Sequence, residues 1–131
     1  GVPRRVGDLG VVSALEVQEF SLTLPRTTLG FVRDSARYRI GRLVYAGVSR
    51  DEELMGFAFP KEERADLVES EPEKFRLPRN SDLRYNWVVG VLGTIDLDEM
   101  RELLVDAWTM CVPKGLNREF REANGYPLAG E

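Results

Sequence analysis

Residues 87–114 constrain the fold of this 131-residue chain more than any other part of it. The uncharged run that starts at Trp87 and ends at Leu92 has apolar side chains on both sides of an extended strand, which is typical of a strand inside a sheet. Asp96 and Glu99 follow with the spacing of a capping box, a motif that begins helices by satisfying free backbone N–H groups. Apolar side chains then recur on one side of that helix as far as Pro113, namely Leu97, Met100, Leu104, Ala107, Trp108 and Cys111. The stretch predicts a central strand followed by a helix that packs on the sheet.

The rest of the chain predicts another helix, a set of antiparallel strands and shorter helices. Ser13 and Glu16 have the spacing of a second capping box, and Pro25 ends the helix that they begin. Glycines then punctuate short segments in the manner of a strand meander, with a tight turn at Gly41 and Arg42. The predicted elements are helices at 13–24, 61–70, 96–113 and 116–123, strands at 36–40, 43–48, 54–59 and 85–94, and an exposed loop at 74–84. This order predicts an α+β fold, an antiparallel sheet of four or more strands with helices packed on one face.

Composition bounds the class of protein. A chain that is 43% apolar and 31% charged predicts one globular domain. We expect a loose leader at 1–12, the domain at 13–124 and a polar tail at 125–131. No apolar run has the length of a membrane span and the amino end lacks the apolar core of a signal peptide, which predicts a cytoplasmic protein with no membrane partner. One cysteine and no histidine leave neither a disulfide framework nor the usual zinc ligands, and we expect no cofactor.

Charge is segregated along the chain although the net charge is only -4. Between Arg26 and Arg50 there are six arginines and one acid, Asp34, whereas the next segment, 51–75, has nine acids and three bases. Within the basic segment, Arg37 and Arg39 alternate with apolar residues, which predicts a strand with one buried side and one basic side. Such segregation indicates a partner surface better than the overall charge does.

The arginine-rich hairpin of this basic segment is the best candidate for a binding surface. Arginines on its open side can bind phosphate oxygens through two parallel hydrogen bonds, and such contacts position a nucleic acid without reading its sequence. The alternative is a solvated strand face whose arginines pair with the acids at 51–53. The predicted nucleic-acid-binding residues of the hairpin are Arg33, Arg37, Arg39, Arg42 and Arg50.

The loop before the last strand is the second candidate. Arg79 and Arg84 precede Tyr85 and Trp87, and bases interleaved with aromatic residues are typical of proteins that bind single strands or grooves. Core packing is the alternative explanation for the two aromatic side chains. Lys114, at the end of the last long helix, completes the predicted basic contacts.

Enzymatic chemistry has little support in the sequence. The chain has no histidine for proton transfer near neutral pH, no glycine-rich phosphate loop and no nucleophile paired with a base. Cys111 is predicted to lie on the buried side of a helix near its carboxyl end, where a thiolate is disfavoured. The acids at 51–69 fit no calcium loop, and weak metal binding by them is a third-ranked alternative.

The order and spacing of several short segments resemble those of the MmcQ/YjbR family of small bacterial proteins. These segments are Leu24-Pro25, the residues at 38–46, 71–75, 86–88 and 95–100, Ala107-Trp108 and Pro113-Lys114. The resemblance implies a compact two-layer domain of the frataxin-like (CyaY-like) kind, and it implies DNA binding by comparison with double-wing architectures, which is a fold-level analogy.

Together these observations predict a non-enzymatic binding module. Double-stranded DNA is the first partner to test, with weak binding that depends on salt and is largely independent of sequence. The alternatives are an interaction domain for another protein and a small-ligand binder that uses a cleft near the loop before Tyr85.

Overall fold

The short segments between the glycine-marked turns form one antiparallel sheet. The computed structural model describes residues 12–127, so residues 1–11 of the predicted leader and residues 128–131 of the predicted tail lie outside the described residues. The strands are β1 (Thr27–Val32), β2 (Ser35–Ile40), β3 (Leu43–Val48), β4 (Leu54–Ala58), β5 (Phe75–Arg76) and β6 (Trp87–Val91). The α-helices of the described residues are α1 (Ala14–Ser21), α2 (Arg64–Ser70), α3 (Leu97–Thr109) and α4 (Lys114–Asn124).

The six strands lie in the order β1-β2-β3-β4-β6-β5, and every neighbouring pair is antiparallel. The predicted α+β class is confirmed. The two edges differ: β5 has only two residues, whereas β1 has six residues, none of them charged. Arg26 and Arg33 flank β1, and both have a positive φ.

Strand register sorts the side chains onto two faces of the sheet. Tyr38, Ala46, Phe57 and Val88 are successive partners across β2, β3, β4 and β6, and all four are fully buried. The neighbouring row, which faces the opposite way because strand side chains alternate, is formed by Gly30, Arg37, Gly47, Gly56, Val89 and Arg76. The first row therefore belongs to the core, and the second lies on the other face.

The helices pack on the core face. Helix α3 lies against β3 and β4, and its side chains Met100, Leu104 and Trp108 are fully buried. Apolar residues of α1, α2 and α4 pack against the same core, for example Val17, Leu67, Val68, Leu116 and Phe120. Because the apolar sides of the four helices pack against this core, no helix of residues 12–127 packs on the second face of the sheet.

Both predicted helix starts are present, but their capping differs. Ser13 accepts from the Glu16 backbone N–H and the Glu16 carboxylate accepts from the Ser13 N–H, so the first capping box is confirmed. Asp96 accepts from the Glu99 N–H, whereas the Glu99 carboxylate pairs with Lys74 at 3.0 Å. The prediction of a second capping box is therefore correct for Asp96 and wrong for Glu99, because the Glu99 carboxylate forms an ion pair with Lys74, next to the edge strand β5.

The sequence prediction missed β1. This strand pairs with β2 through a two-residue turn, Arg33 and Asp34, in which both residues have a positive φ. Glycine usually marks such a turn, and its absence hid the hairpin. The observed order is a helix, four strands, a helix, a short strand, a longer strand and two helices, instead of three strands after the first helix.

Two helices and one strand are shorter than predicted. The helix predicted at 13–24 ends at Ser21, and the helix predicted at 61–70 begins at Arg64, after turns at 61–63. The strand predicted at 85–94 covers only Trp87–Val91, because Leu92–Thr94 form a 3-10 turn.

Three more differences lie in the predicted loop and in the last two helices. The segment predicted as an exposed loop contains the short strand β5, whose Phe75 is buried, and a 3-10 turn at Asn80–Asp82. Helix α3 ends at Thr109, which leaves Cys111 outside the helix on which it was predicted. Helix α4 begins two residues earlier than predicted, directly after Pro113, a residue that suits the start of a helix.

We expect Trp108→Phe to lower the free energy of unfolding by about 1 to 3 kcal/mol. The Trp108 Nε1 donates to the Pro25 carbonyl at 2.9 Å, and this bond joins the end of α3 to the chain just before β1. Phenylalanine leaves that carbonyl without its donor. Urea unfolding of the variant measures the loss, and Met110→Ala, an exposed position two residues further on, is the control expected to change stability by less than about 0.5 kcal/mol.

Candidate nucleic-acid interface

The sheet face on which no helix of residues 12–127 packs carries two of the eight predicted nucleic-acid-binding residues, Arg37 and Arg39. We call it the basic sheet face. Strand alternation and register place on it Thr28, Gly30, Arg37, Arg39, Gly47, Gly56, Arg76, Trp87 and Val89, together with Val32, Ser35, Val44, Leu54, Ala58 and Val91. The alternation of Arg37 and Arg39 with the buried Tyr38 agrees with the predicted basic side of this strand.

The two central arginines of this face lie along the sheet, over glycines of neighbouring strands. A β-carbon on Gly30 of β1 would lie 2.7 Å from Nη2 of Arg39, and one on Gly47 of β3 would lie 3.2 Å from Cδ of Arg37. Arg37 also donates from Nη1 to the Ala36 carbonyl at 3.3 Å. The absence of a side chain at these glycines is what lets the arginine side chains lie so close to the backbone.

Trp87 packs over a glycine in the same way. A β-carbon on Gly56 of β4 would lie 2.6 Å from Nε1, 2.7 Å from Cζ2 and 2.8 Å from Cε2 of the Trp87 ring. Cε2 joins the other two atoms in the ring yet is the farthest of the three, so the β-carbon would meet this edge of the indole. Trp87 therefore covers Gly56 with the edge that contains Nε1, and it is half-buried on the basic sheet face instead of in the core.

The arginines of this face have no acidic partner. Among residues 12–127, no carboxylate forms an ion pair with Arg37 or Arg39, so the alternative of pairing with the acids at 51–53 does not occur there. Asp51 accepts hydrogen bonds from the Ser49 hydroxyl and the Glu53 N–H, and these bonds lower the pKa of its carboxyl. Two uncompensated guanidinium groups on one open face favour a negatively charged ligand.

The turns divide the remaining hairpin arginines between opposite ends of the sheet. Arg42 lies in the turn between β2 and β3, at the end where Trp87 begins β6. Arg33 and Arg50 lie in the turns at the other end, roughly 17 Å away along the strands at about 3.3 Å per residue. The acids Glu52 and Glu53 share that second end. The structure thus brings Arg37, Arg39 and Arg42 together and does not bring Arg33 or Arg50 to them.

The other predicted contacts lie off this face. Arg79 is highly exposed and pairs with Asp82 at 3.7 Å, while Arg84 donates to the Tyr85 hydroxyl at 2.8 Å and its guanidinium lies 4.8 Å from the Tyr85 ring centre. Tyr85 is 52% exposed and precedes the strand, so the core explanation is wrong for it. Lys114 begins α4 in the helical layer.

Arg64 is a positioning residue that the sequence did not reveal. Its Nη1 donates to the carbonyls of Tyr85 at 2.8 Å and Trp87 at 3.3 Å, and its Nη2 donates to the Leu83 carbonyl. One side chain of α2 therefore holds the chain that leads into Trp87. No sequence signal separates Arg64 from the acidic residues around it, because its partners are backbone groups about 20 residues away.

A cavity lies on the core side of the β1–β2 hairpin, away from the basic sheet face. Its volume is about 220 Å³, and its rim includes the exposed Leu15 and Phe31 beside Asp34 and Glu52. None of the described residues that line it comes from the loop before Tyr85, where the sequence predicted a ligand cleft.

Burial shifts the pKa of side chains in the core of the described residues. Burial raises the pKa of the Cys111 thiol, and burial together with Tyr45 raises the pKa of Tyr38 to about 12. Both groups are therefore protonated at neutral pH. Within residues 12–127, no group of three or more Asp, Glu, Cys or His residues could hold a metal ion, and no helix has both the length and the apolar character needed to cross a membrane.

Comparison with known proteins gives one family and one solved structure. The family model described as YjbR matches residues 22–110, which contain the whole sheet and α3. The crystal structure of protein DR2400 from Deinococcus radiodurans, with the domain DUF419, is similar with a TM-score of 0.66 and 21% sequence identity, over 90% of this chain and 93% of that one. At that identity the likeness shows the fold alone. No curated protein matches this chain.

We expect Gly56→Ala to displace the Trp87 ring from the sheet, because the new β-carbon would lie at 2.6 Å from it. Overpacking of this kind lowers the free energy of unfolding by about 1 to 3 kcal/mol. Acrylamide quenching of tryptophan fluorescence should increase in parallel. The control is Gly93→Ala, where a β-carbon meets nothing within 4 Å. Equal quenching and stability for both variants would contradict the packing of Trp87 over Gly56.

Proposed function

The chain belongs to the YjbR family, and we propose that it is a non-enzymatic module that binds DNA weakly through the basic sheet face. The observation that supports this most is the pair Arg37 and Arg39, which start from the same face of β2, extend over β3 and β1 respectively, and have no carboxylate partner in residues 12–127. A frataxin-like relationship, a bacterial source and a cytoplasmic location stay predictions of the sequence.

The proposed contacts are electrostatic. Arg37, Arg39 and Arg42 each offer a guanidinium to phosphate oxygens, and Arg79, Arg84 and Lys114 add weaker contacts from outside the face. Phosphate contacts carry no sequence information, so binding is expected to be largely independent of sequence. Arg33 and Arg50 are not part of this site, because they lie at the opposite end of the sheet beside acids.

The overall charge limits the affinity. The net charge of -4 repels DNA at long range, and only the local excess of arginine favours contact. Such binding is expected to be strongest at low ionic strength, where the attraction between the arginines and phosphates is least screened.

A protein-interaction domain is the alternative function. It is favoured by the exposed apolar side chains Leu15 and Phe31, 60% and 64% exposed, at the rim of the cavity beside β1. A small ligand could use the same cavity. Phe31→Ser distinguishes these alternatives from DNA binding. It removes the larger apolar side chain from the cavity rim, so it should weaken binding of a protein or small ligand there. It leaves the basic sheet face intact, so it should not change the affinity for DNA.

We expect fluorescence anisotropy to show that labelled duplex DNA binds, with an affinity that falls roughly 10- to 40-fold between ~50 and ~200 mM salt if two or three phosphates are contacted. Arg37→Glu/Arg39→Glu should lower the affinity at low salt by more than tenfold, since two contacts become repulsive.

The matched control is Arg33→Glu/Arg50→Glu, which changes the net charge by the same amount at the other end of the sheet. It should lower the affinity by about threefold or less, through long-range repulsion alone. Equal losses in the two variants, or no duplex binding at low salt, would refute the proposed site, and circular dichroism establishes that both variants are folded.

A further inference from the structure

We propose that the basic sheet face stacks unpaired bases, so that its preferred ligand is single-stranded DNA and duplex DNA binds through phosphate contacts alone. This inference rests on the proposed function and names the class of nucleic acid that the site takes.

The first observation is the arrangement of planar groups on the sheet. Gly30, Gly47 and Gly56 belong to one cross-strand row, and each is covered by part of a planar side chain from a neighbouring strand: Arg39, Arg37 and Trp87 respectively. Neighbouring strands lie about 4.8 Å apart, so these groups are distributed over about 15 Å across the strands of the sheet. Aromatic rings and guanidinium planes are the side chains on which nucleic-acid bases stack.

The second observation is that no other planar or charged side chain of residues 12–127 occupies the Trp87 ring. The edge of the ring that contains Nε1 packs over Gly56, while no other aromatic ring or cation in residues 12–127 stacks on it. A half-buried indole that is held by one edge keeps ring surface on which a base can stack.

The shape of the face decides between single strands and duplexes. Six strands at about 4.8 Å make the sheet roughly 24 Å wide, which is about twice the width of the DNA major groove, about 12 Å. The face therefore cannot enter a groove, and the bases of a duplex are stacked on one another and cannot reach Trp87. Unpaired bases are free to turn their faces to the sheet.

The test uses three ligands with the same number of phosphates: a single-stranded thymidine oligonucleotide, an abasic strand with sugars and phosphates only, and a duplex. Binding is followed by intrinsic tryptophan fluorescence and by anisotropy. Trp108 is fully buried, so quenching by a ligand reports on Trp87. We expect the thymidine strand to quench the fluorescence and to bind about tenfold more tightly than the abasic strand or the duplex.

Two variants separate stacking from charge. Trp87→Leu should remove the preference for the thymidine strand and the quenching while leaving duplex binding within about twofold. Arg37→Lys/Arg39→Lys keeps the charges but not the planar groups, so it should retain duplex binding and lower the affinity for the thymidine strand. This second variant still tests the proposal if Trp87→Leu does not fold.

The outcomes distinguish the inference from the function on which it rests. Equal affinities for the thymidine and abasic strands, or binding of the thymidine strand without quenching, would overturn the stacking inference and leave the DNA-binding function standing. Failure of all three ligands to bind at low salt would overturn both.

Discussion

Burial of one side of α3 against β3 and β4 is the interaction on which the rest of the fold depends. Met100, Leu104 and Trp108 are fully buried there, and a large apolar side chain contributes about 1.5 to 3 kcal/mol when it is fully buried. A domain of this size is stable by only about 5 to 15 kcal/mol, so this contact alone is comparable with the whole net stability. The remaining helices add their apolar sides to the same core.

Because the helices pack on one face of the sheet, the other face must be shielded from water by its own side chains. A sheet face without helices still has backbone and glycines to cover, and here the side chains of Arg37, Arg39 and Trp87 lie over glycines of neighbouring strands. The same side chains therefore shield the sheet and remain within reach of a ligand, so structural and binding roles coincide on this face.

Local patterns in the sequence were sufficient for the α+β class, for the buried and basic sides of β2 and for the starts of α1 and α3. They were insufficient wherever residues far apart in sequence meet. The packing of Trp87 on Gly56 depends on the pairing of β4 with β6. The Glu99 carboxylate forms an ion pair with Lys74 instead of accepting from a backbone N–H at the start of its own helix. Strand β1 escaped detection because its turn, Arg33-Asp34, takes positive φ angles without a glycine. Single-sequence periodicity carries no information about such pairings.

The two edges of the sheet have different consequences for self-association. The two-residue strand β5 offers little for another chain to pair with, whereas β1 presents six uncharged residues at an edge where no further strand of residues 12–127 pairs. If two copies paired their β1 strands antiparallel in a centred register, Arg26 of each copy would face Arg33 of the other. Like charges opposed at both ends of such a pair disfavour it. These two arginines thus disfavour edge-to-edge aggregation. The positive charge around this hairpin therefore favours solubility independently of any ligand.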